Sequence, residues 1–347
     1  MKVLFLTQTG ALGPSSRHRV YQLLPLLAAR GIEAEVAPAI SDELYERIYF
    51  RGKNKSAALR AAWQRRRADL ARVAEFDVVF VQKGVFPGLH SGFERRIAAK
   101  KPLVFDFDDA IWLPREGGSR VARALHRERA VQDILRCAAA VIAGNAHLAE
   151  YARRFNRNVV MIPTSLDTNR YAPSPDSARV GWIGSRTTLP YLRMLQPVLA
   201  KLGVTPRVIA AGDPTTLGFP VEFRPWKLET ESAELAEIGI GIAPLPDSPW
   251  ERGKCGLKIL QYMACGIPVV ASPVGVQRMM IQHGTTGFLA DGIDDWKTYL
   301  HELIATPSLR QRLGAAGRAF ARQRYDIQQA AIQVEAVLRG QRATPSM

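Results

Sequence analysis

The sequence predicts an α/β protein built from two open, parallel-sheet domains, and three observations carry that prediction. At 347 residues the chain is long for a single hydrophobic core, so two domains are expected. Short unbroken apolar runs, among them Val3-Leu4-Phe5-Leu6 and Val78-Val79-Phe80-Val81, alternate with helix-length segments, as strands buried on both faces do. Several of these runs end in a glycine-bearing loop that opens a helix, and this happens in both halves of the chain.

Composition narrows the class. Hydrophobic residues make up 47% and charged residues 23%, which suits a water-soluble globular protein rather than a disordered or membrane-spanning one. The three cysteines, Cys137, Cys255 and Cys265, lack metal-ligand spacing and point to a reducing compartment; Cys255 reads as a small buried filler. The opening MKVLFLTQTG is too short in its apolar run for a secretory signal, and no stretch nears the roughly 20 apolar residues of a transmembrane helix. A cytoplasmic location is expected.

The net charge is +15, and residues 1–165 carry 27 Lys and Arg against 16 Asp and Glu. The excess gathers in Arg51, Lys53, Lys55, Arg60, Arg65, Arg66, Arg67 and Arg72, around Trp63 in a helix-like segment. Such a helix suits an anionic membrane surface, which would make the protein peripheral at the inner face; a solvated charged face is the alternative. None of the modules of a dedicated nucleic-acid reader is present, so no nucleic-acid partner is expected.

In order, strands are expected at 3–6, 35–39, 77–81, 101–105, 139–143 and 159–163, with the basic helix between the second and third. The first is followed by Gly10-Ala11-Leu12-Gly13-Pro14 and a helix through 21–27. The fourth runs into Asp106-Phe107-Asp108-Asp109. His18 reads as an ordinary surface histidine. The stiff, polar Pro173-Ser174-Pro175-Asp176-Ser177 is linker-like, which divides the chain into a domain at 1–165, a linker at 166–178 and a second domain at 179–326. Strands are expected there at 180–184, 207–211 and 268–271, within the apolar run 238–245, and after the turn at 284–287. A helix from 185 to 199 would start at Ser185 and Arg186, placing free amides and a cation beside Gly184. Helices at 309–324 and 327–338 close the chain.

The most informative stretch is 247–275, DSPWERGKCGLKILQYMACGIPVVASPVG. It leaves a strand, turns at Lys254-Cys255-Gly256 and enters a helix expected at 256–264, with Leu257, Leu260 and Met263 as its buried stripe. Backbone N–H groups at that helix start would welcome an anion, and Gly256 has no side chain to keep a phosphate away. Lys254 and Lys258, four apart, would project from one side of the helix. Two cations and a helix N-terminus suit a diphosphate.

GLKILQYMACGIPVVASPVG followed by HGTTGFLA resembles the C-terminal half of the nucleotide-sugar site in family four of the GT-B-fold retaining glycosyltransferases. Val159 to Tyr171 resembles that family's passage out of its first domain. The family's usual pattern is Glu, seven residues, Glu; this sequence has Gly253 and Gln261 at those positions. Gln261 keeps an acceptor oxygen for a ribose hydroxyl but loses the charge-assisted bond.

The resemblance implies two Rossmann-like domains facing a cleft, with a last helix at 327–340 crossing back to the first domain. It implies a nucleotide-sugar donor held by Gly13, Gly184, Ser185, Arg186, Lys254, Gly256, Leu257, Lys258 and Gln261. The region of 223–226 resembles the segment where the nucleobase stacks. Ser16, Arg17 and Arg19 would lie on the acceptor side. Asp108 and Asp109 would orient an acceptor hydroxyl or stabilise charge on the sugar, with Lys258 taking up charge on the departing diphosphate.

The spacing Asp106-x-Asp108 also imitates the metal motif of GT-A glycosyltransferases. That architecture leaves the 247–275 stretch without a role, and Asp106 is better read as a helix cap or a partner for the arginines. The implied reaction is sugar transfer to a glycan or lipid-linked acceptor with retention, without a metal or any cofactor beyond the donor substrate. Two other readings stand beside it: a nucleotide-sugar epimerase or hydrolase on the same fold, and a degenerate nucleotide-binding or scaffold protein.

Overall fold

The structure, a computed structural model, describes residues 1–50, 55–86, 91–114 and 128–341. It divides into two compact units. One comprises Met1–Ser165, Ser248–Cys255 and Ile327–Met347, the other Leu166–Asp247 and Gly256–Asp326.

The first unit is built on strands β1 (Lys2–Thr9), β2 (Glu33–Ile40), β3 (Val78–Gln82), β4 (Leu103–Phe107), β5 (Ala140–Ala143) and β6 (Val159–Met161). They form one parallel sheet in the order β2-β1-β3-β4-β5-β6. Side-chain alternation explains the unbroken apolar runs. Leu4, Leu6, Val79, Val81, Phe105 and Val141 enter one core, while Val3, Phe5, Val78, Phe80, Val104 and Ile142 enter the core on the opposite face. The helix Ile327–Leu338 covers the second face through Ile327, Ala330, Ala331, Val334, Val337 and Leu338.

The second unit repeats the plan with β7 (Val180–Gly184), β8 (Arg207–Ala210), β9 (Glu222–Pro225), β10 (Ile240–Ala243), β11 (Val269–Ala271) and β12 (Gly287–Leu289). Its parallel order is β12-β11-β10-β7-β8-β9. In each sheet the strand order reverses once, between β1 and β3 in the first unit and between β7 and β10 in the second. Loops diverge at those points, and open α/β sheets bind ligands beyond the strand C-termini there.

Three expectations change. Glu222–Pro225, read from sequence only as a base-stacking segment, is an edge strand, a place that tolerates Pro225. The helix expected from 185 is a turn, then a 3-10 segment Leu189–Leu195 and a short helix Gln196–Lys201. Pro190 and Pro197 each withhold an N–H, so each falls in the first turn of its own segment. The basic helix forms at Lys55–Ala71, but not as an evenly exposed face. Arg66 is buried and donates to the carbonyls of Ala37 and Thr7, and Arg72 pairs with Glu35 and Glu75. Arg60, Arg65 and Arg67 are exposed, and Trp63 is 39% exposed while packing on Phe86 and Phe93. Arg51 and Lys53 lie outside the described residues.

Candidate functional site

In the first unit, the strand ends at the reversal point carry an ionic cluster. β4 ends in Phe107, and Asp108 and Asp109 follow it directly. The Lys83 ammonium, at the end of β3, lies 2.6 Å from Asp108 Oδ1 and also pairs with Asp109. It donates to Ser15 Oγ at 2.9 Å, and Ser15 donates in turn to Asp108 Oδ2 at 2.7 Å. From the 248–255 loop, Lys254 donates to Asp109 Oδ1 at 2.7 Å, with its ammonium 5.5 Å from the Trp250 ring centroid. Two carboxylates and two ammoniums thus balance.

Burial by itself would raise the Asp109 carboxyl, but the charges of Lys254 and Lys83 outweigh it and hold the group well below the usual carboxylate range. Burial would likewise strip Lys83 of its proton, and Asp108 and Asp109 reverse this, keeping the ammonium well above its ordinary value. Cys255 donates to the Asp108 carbonyl; burial, then the Asp108 charge, push its thiol up, and it packs on the core as a neutral but only partly buried residue rather than the buried filler expected.

The loop that brings Lys254 here is fixed by backbone contacts. Asn145 caps the helix Ala146–Arg153 by accepting from Leu148 N, and its amide donates to the carbonyls of Gly253 and Lys254 at 3.0 and 3.1 Å. Gly253 sits against Ala110, where a Cβ would meet the Ala110 nitrogen and Cβ at 2.7 Å. No side chain fits there as packed. The carboxylate that the resemblance would place at this position is sterically replaced by the chain segment after Asp109.

Several sequence-predicted residues fall elsewhere in this unit. Ser16 is buried and bonds Thr9 and Gln82 rather than facing an acceptor. Arg19 is also buried: its guanidinium grips Asp106 and donates to the Ile162 carbonyl at 2.7 Å. Of the two roles expected for it, helix cap or arginine partner, Asp106 takes the second, which removes it from any metal pair with Asp108. Arg17 and His18 are buried as well, so His18 is not a surface residue; Arg17 Nε lies 3.3 Å from His18 Nε2. Gly13 precedes the helix Pro14–Arg19, and a Cβ there would meet Thr9 Oγ1 at 1.9 Å. The amides of Ala11 and Leu12 are taken by the Asp42 carboxylate, at 3.2 and 2.9 Å, so this glycine loop offers a diphosphate a carboxylate rather than free donors. Lys83 was missed from sequence. Its signal was a cation between Gln82, which ends an otherwise apolar strand, and Gly84, and it is held at a left-handed φ of 58°.

In the second unit, the helix Leu257–Ala264 follows β10, one residue later than expected. Gly256 stands before it at φ 70°, ψ 20°. The glycine is required by that φ and by Met280 Sδ, 2.3 Å from where a Cβ would be, rather than by room for a phosphate. Lys254 lies ahead of the helix in extended conformation, so it does not share a helical side with Lys258. The Lys258 ammonium lies 4.8 Å from the ring centroid of the fully buried Trp182.

The helix is buried along Ile259, Leu260, Gln261, Tyr262, Met263 and Ala264, wider than the stripe expected, while Leu257 is only partly covered. Gln261 is 3% exposed. Tyr262 ties the helix to the sheet, its hydroxyl accepting from Ile183 N at 2.9 Å. Leu257 is the first residue of the helix, where backbone N–H groups run ahead of the intrahelical acceptors. At the end of β7, Gly184 is packed against Trp182, and Ser185 accepts from the amides of Thr188 and Leu189. Arg186 is exposed, its stem beside Gly212. The helix N-terminus expected at Ser185 is thus absent, because the turn consumes its own donors.

Residues 198–306 match the family model of glycosyl transferases group 1. Anabaena Alr3699/HepE, solved in complex with UDP-glucose, superimposes over 98% of this chain and 100% of its own, with a TM-score of 0.74 at 19% identity. Sucrose-phosphate synthase of Thermosynechococcus elongatus does so over 98% of each, with a TM-score of 0.72 at 15% identity. This chain has the GT-B fold. Among curated relatives, a D-inositol 3-phosphate glycosyltransferase of Thermobifida fusca is 44% identical over 64 residues, 18% of this chain and 15% of that protein. A GDP-mannose-dependent alpha-(1-6)-phosphatidylinositol monomannoside mannosyltransferase of Mycolicibacterium smegmatis is 24% identical over 275 residues, 60% of this chain and 66% of that protein. The GT-B chain therefore spans between about one seventh and two thirds of the length of these relatives. Among its described residues no group of three or more His, Cys, Asp or Glu is disposed to hold a metal ion, and no helix is long and apolar enough to cross a membrane.

Proposed function

We propose that this protein transfers a sugar from a nucleotide-diphosphate donor to a glycan or lipid-linked acceptor, with retention at the anomeric carbon and without a metal. One observation carries the reading: Gly256 turns the chain into the start of the helix Leu257–Ala264, where Lys258 stands at the sheet's reversal point. The amides of Gly256 and Leu257, with Lys258, are the proposed cradle of the diphosphate. Arg186, exposed and unrestrained by a helix, is proposed as a supplementary cation. Gln261 is proposed to accept from a ribose hydroxyl.

Asp109, held ionised by two lysines, is suited to stabilising positive charge on the sugar rather than to taking up a proton. Asp108, with Ser15, is proposed to orient the acceptor hydroxyl. Support for a nucleotide-sugar donor comes from the UDP-glucose of the HepE complex and from the GDP-mannose in the name of the mycobacterial relative.

A peripheral position at the inner membrane surface belongs to the same reading, through Arg60, Arg65, Arg67 and Trp63. The test is thermal shift of the purified protein across uridine, guanosine and adenosine diphosphates and their sugars, followed by transfer with and without chelator. Stabilisation by one base series and chelator-resistant transfer support the proposal. Donor turnover with no acceptor present would favour an epimerase or hydrolase, and no nucleotide shift at all would leave a scaffold.

A further inference from the structure

We propose that Lys83 is a positioning residue, holding Asp108 and Asp109 together as carboxylates and, through Asp109, fixing the ammonium of Lys254. This rests on the transferase reading and names a residue that reading does not use. Four observations carry it. Lys83 bridges both carboxylates and Ser15 at once. It sits at the C-terminal end of β3, at the point where the sheet order reverses. It is buried, and it is the one described non-glycine residue with a positive φ, a conformation that costs energy and persists where its surroundings hold it. Asp109 touches Lys83 with one oxygen and Lys254 with the other, so the order Lys83, Asp109, Lys254 is a continuous chain of charge contacts.

Adjacent carboxylates repel, and without a cation between them one takes a proton. The groups around the cluster are few. Lys83 comes from β3, Ser15 from the helix Pro14–Arg19, Asp108 and Asp109 from the end of β4, and Lys254 with the neutral Cys255 from the 248–255 loop. Arg19 and Asp106 beneath are already paired with each other. With Lys83 neutral, the cluster would carry one net negative charge, and Asp109 would keep only Lys254.

The experiment follows carboxyl ¹³C signals of aspartate-labelled full-length protein through an acid titration, with Asp109→Asn assigning the Asp109 signal. In Lys83→Met, the Asp109 carboxyl is expected to titrate about one pH unit or more above its position in the parent, and Lys83→Arg is expected to restore it. Lys254→Met, a half-buried and more tolerant site, should raise Asp109 alone. That variant decides the chain of contacts even if Lys83→Met fails to fold. In the transfer assay, Lys83→Met should lose on the order of tenfold or more in kcat, with the acid limb of its pH profile moved upward by the same amount as the NMR signal. Unchanged carboxyl titrations in Lys83→Met, or in Lys254→Met where the former does not fold, would overturn the proposal. An absence of transfer by the parent protein would sink the transferase reading while leaving the titrations to decide the positioning role.

Discussion

Restoring a carboxylate at Gly253 should harm the protein. The backbone there approaches Ala110 so closely that an added Cβ would lie 2.7 Å from both the nitrogen and the Cβ of that residue. Ordinary contact starts at 3.4 Å, and the neighbouring atoms are backbone and a Cβ fixed to it rather than the tip of a flexible side chain. Gly253→Ala therefore requires the 248–255 loop or the segment after β4 to move, which costs about 1–3 kcal/mol as overpacking. Gly253→Glu adds the burial of a charge, an effective penalty of several kcal/mol when no cation is free to meet it. Asp109 already occupies Lys254 and Lys83.

For a domain of this size 1 kcal/mol moves the melting temperature by about 2–4 °C, so the alanine variant should lose roughly 2–12 °C and the glutamate variant more. Gly292→Ala is the control: nothing lies within 4 Å of its Cβ, it caps the helix Ile293–Ala305 in extended conformation, and its effect should be limited to the loss of a glycine N-cap, about 1 kcal/mol or less. Calorimetry of the three variants measures this. A Gly253→Glu protein as stable as the parent would refute the steric account and restore the simpler idea that a family carboxylate has merely been lost.

Further expectations are separately measurable. Lys258→Ala should lower turnover on the order of 10²-fold while leaving the melting temperature near the parent's, and near-normal turnover in a donor-saturated assay would remove Lys258 from the chemistry. Gly256→Ala meets Met280 Sδ and a left-handed φ, so it should destabilise by about 1–3 kcal/mol in chemical denaturation; a neutral result would show that the turn adapts. The Asp109 carboxyl is depressed in the folded state, so its contribution to stability is present above its unfolded value of about 3.9 and is lost as pH falls through the lower folded value. Asp109→Asn should therefore lose stability at pH 7 and approach the parent's on strong acidification, and a constant difference across pH would contradict the ion pairing. Charge reversal at exposed Arg60 and Arg67 should weaken binding to anionic liposomes at low salt, with binding indifferent to salt counting against a membrane surface.

Much of the fold was legible in the sequence because parallel strands buried on both faces leave long apolar runs. Val78-Val79-Phe80-Val81 and Ile240-Gly241-Ile242-Ala243 could be little else. The edge strand at Glu222–Pro225 carried no such signal, since one side of it faces no neighbouring strand and polar residues are tolerated there. Local reading failed where distant residues claim the donors. The Gly10–Gly13 loop resembles an anion cradle until Asp42, thirty residues on, takes its amides, and the Gly184 loop resembles a helix start until Ser185 takes up the turn. Arg19 and Ser16 looked available for a substrate because sequence shows residue type and not occupancy.

The sequence by itself determined the two parallel-sheet units, the Gly256 turn into a helix carrying Lys258, and the absence of a glutamate at Gly253, since apolar runs, glycine and chain spacing are local properties. Only the tertiary structure decided that Asp106 belongs to Arg19, that Lys254 belongs to Asp109, and that Lys83 joins the two remaining carboxylates. Charges choose partners by distance, and the residues concerned come from strand ends and a loop far apart in the chain, brought within 3 Å of one another by the sheet order and by Asn145, which holds the 248–255 loop.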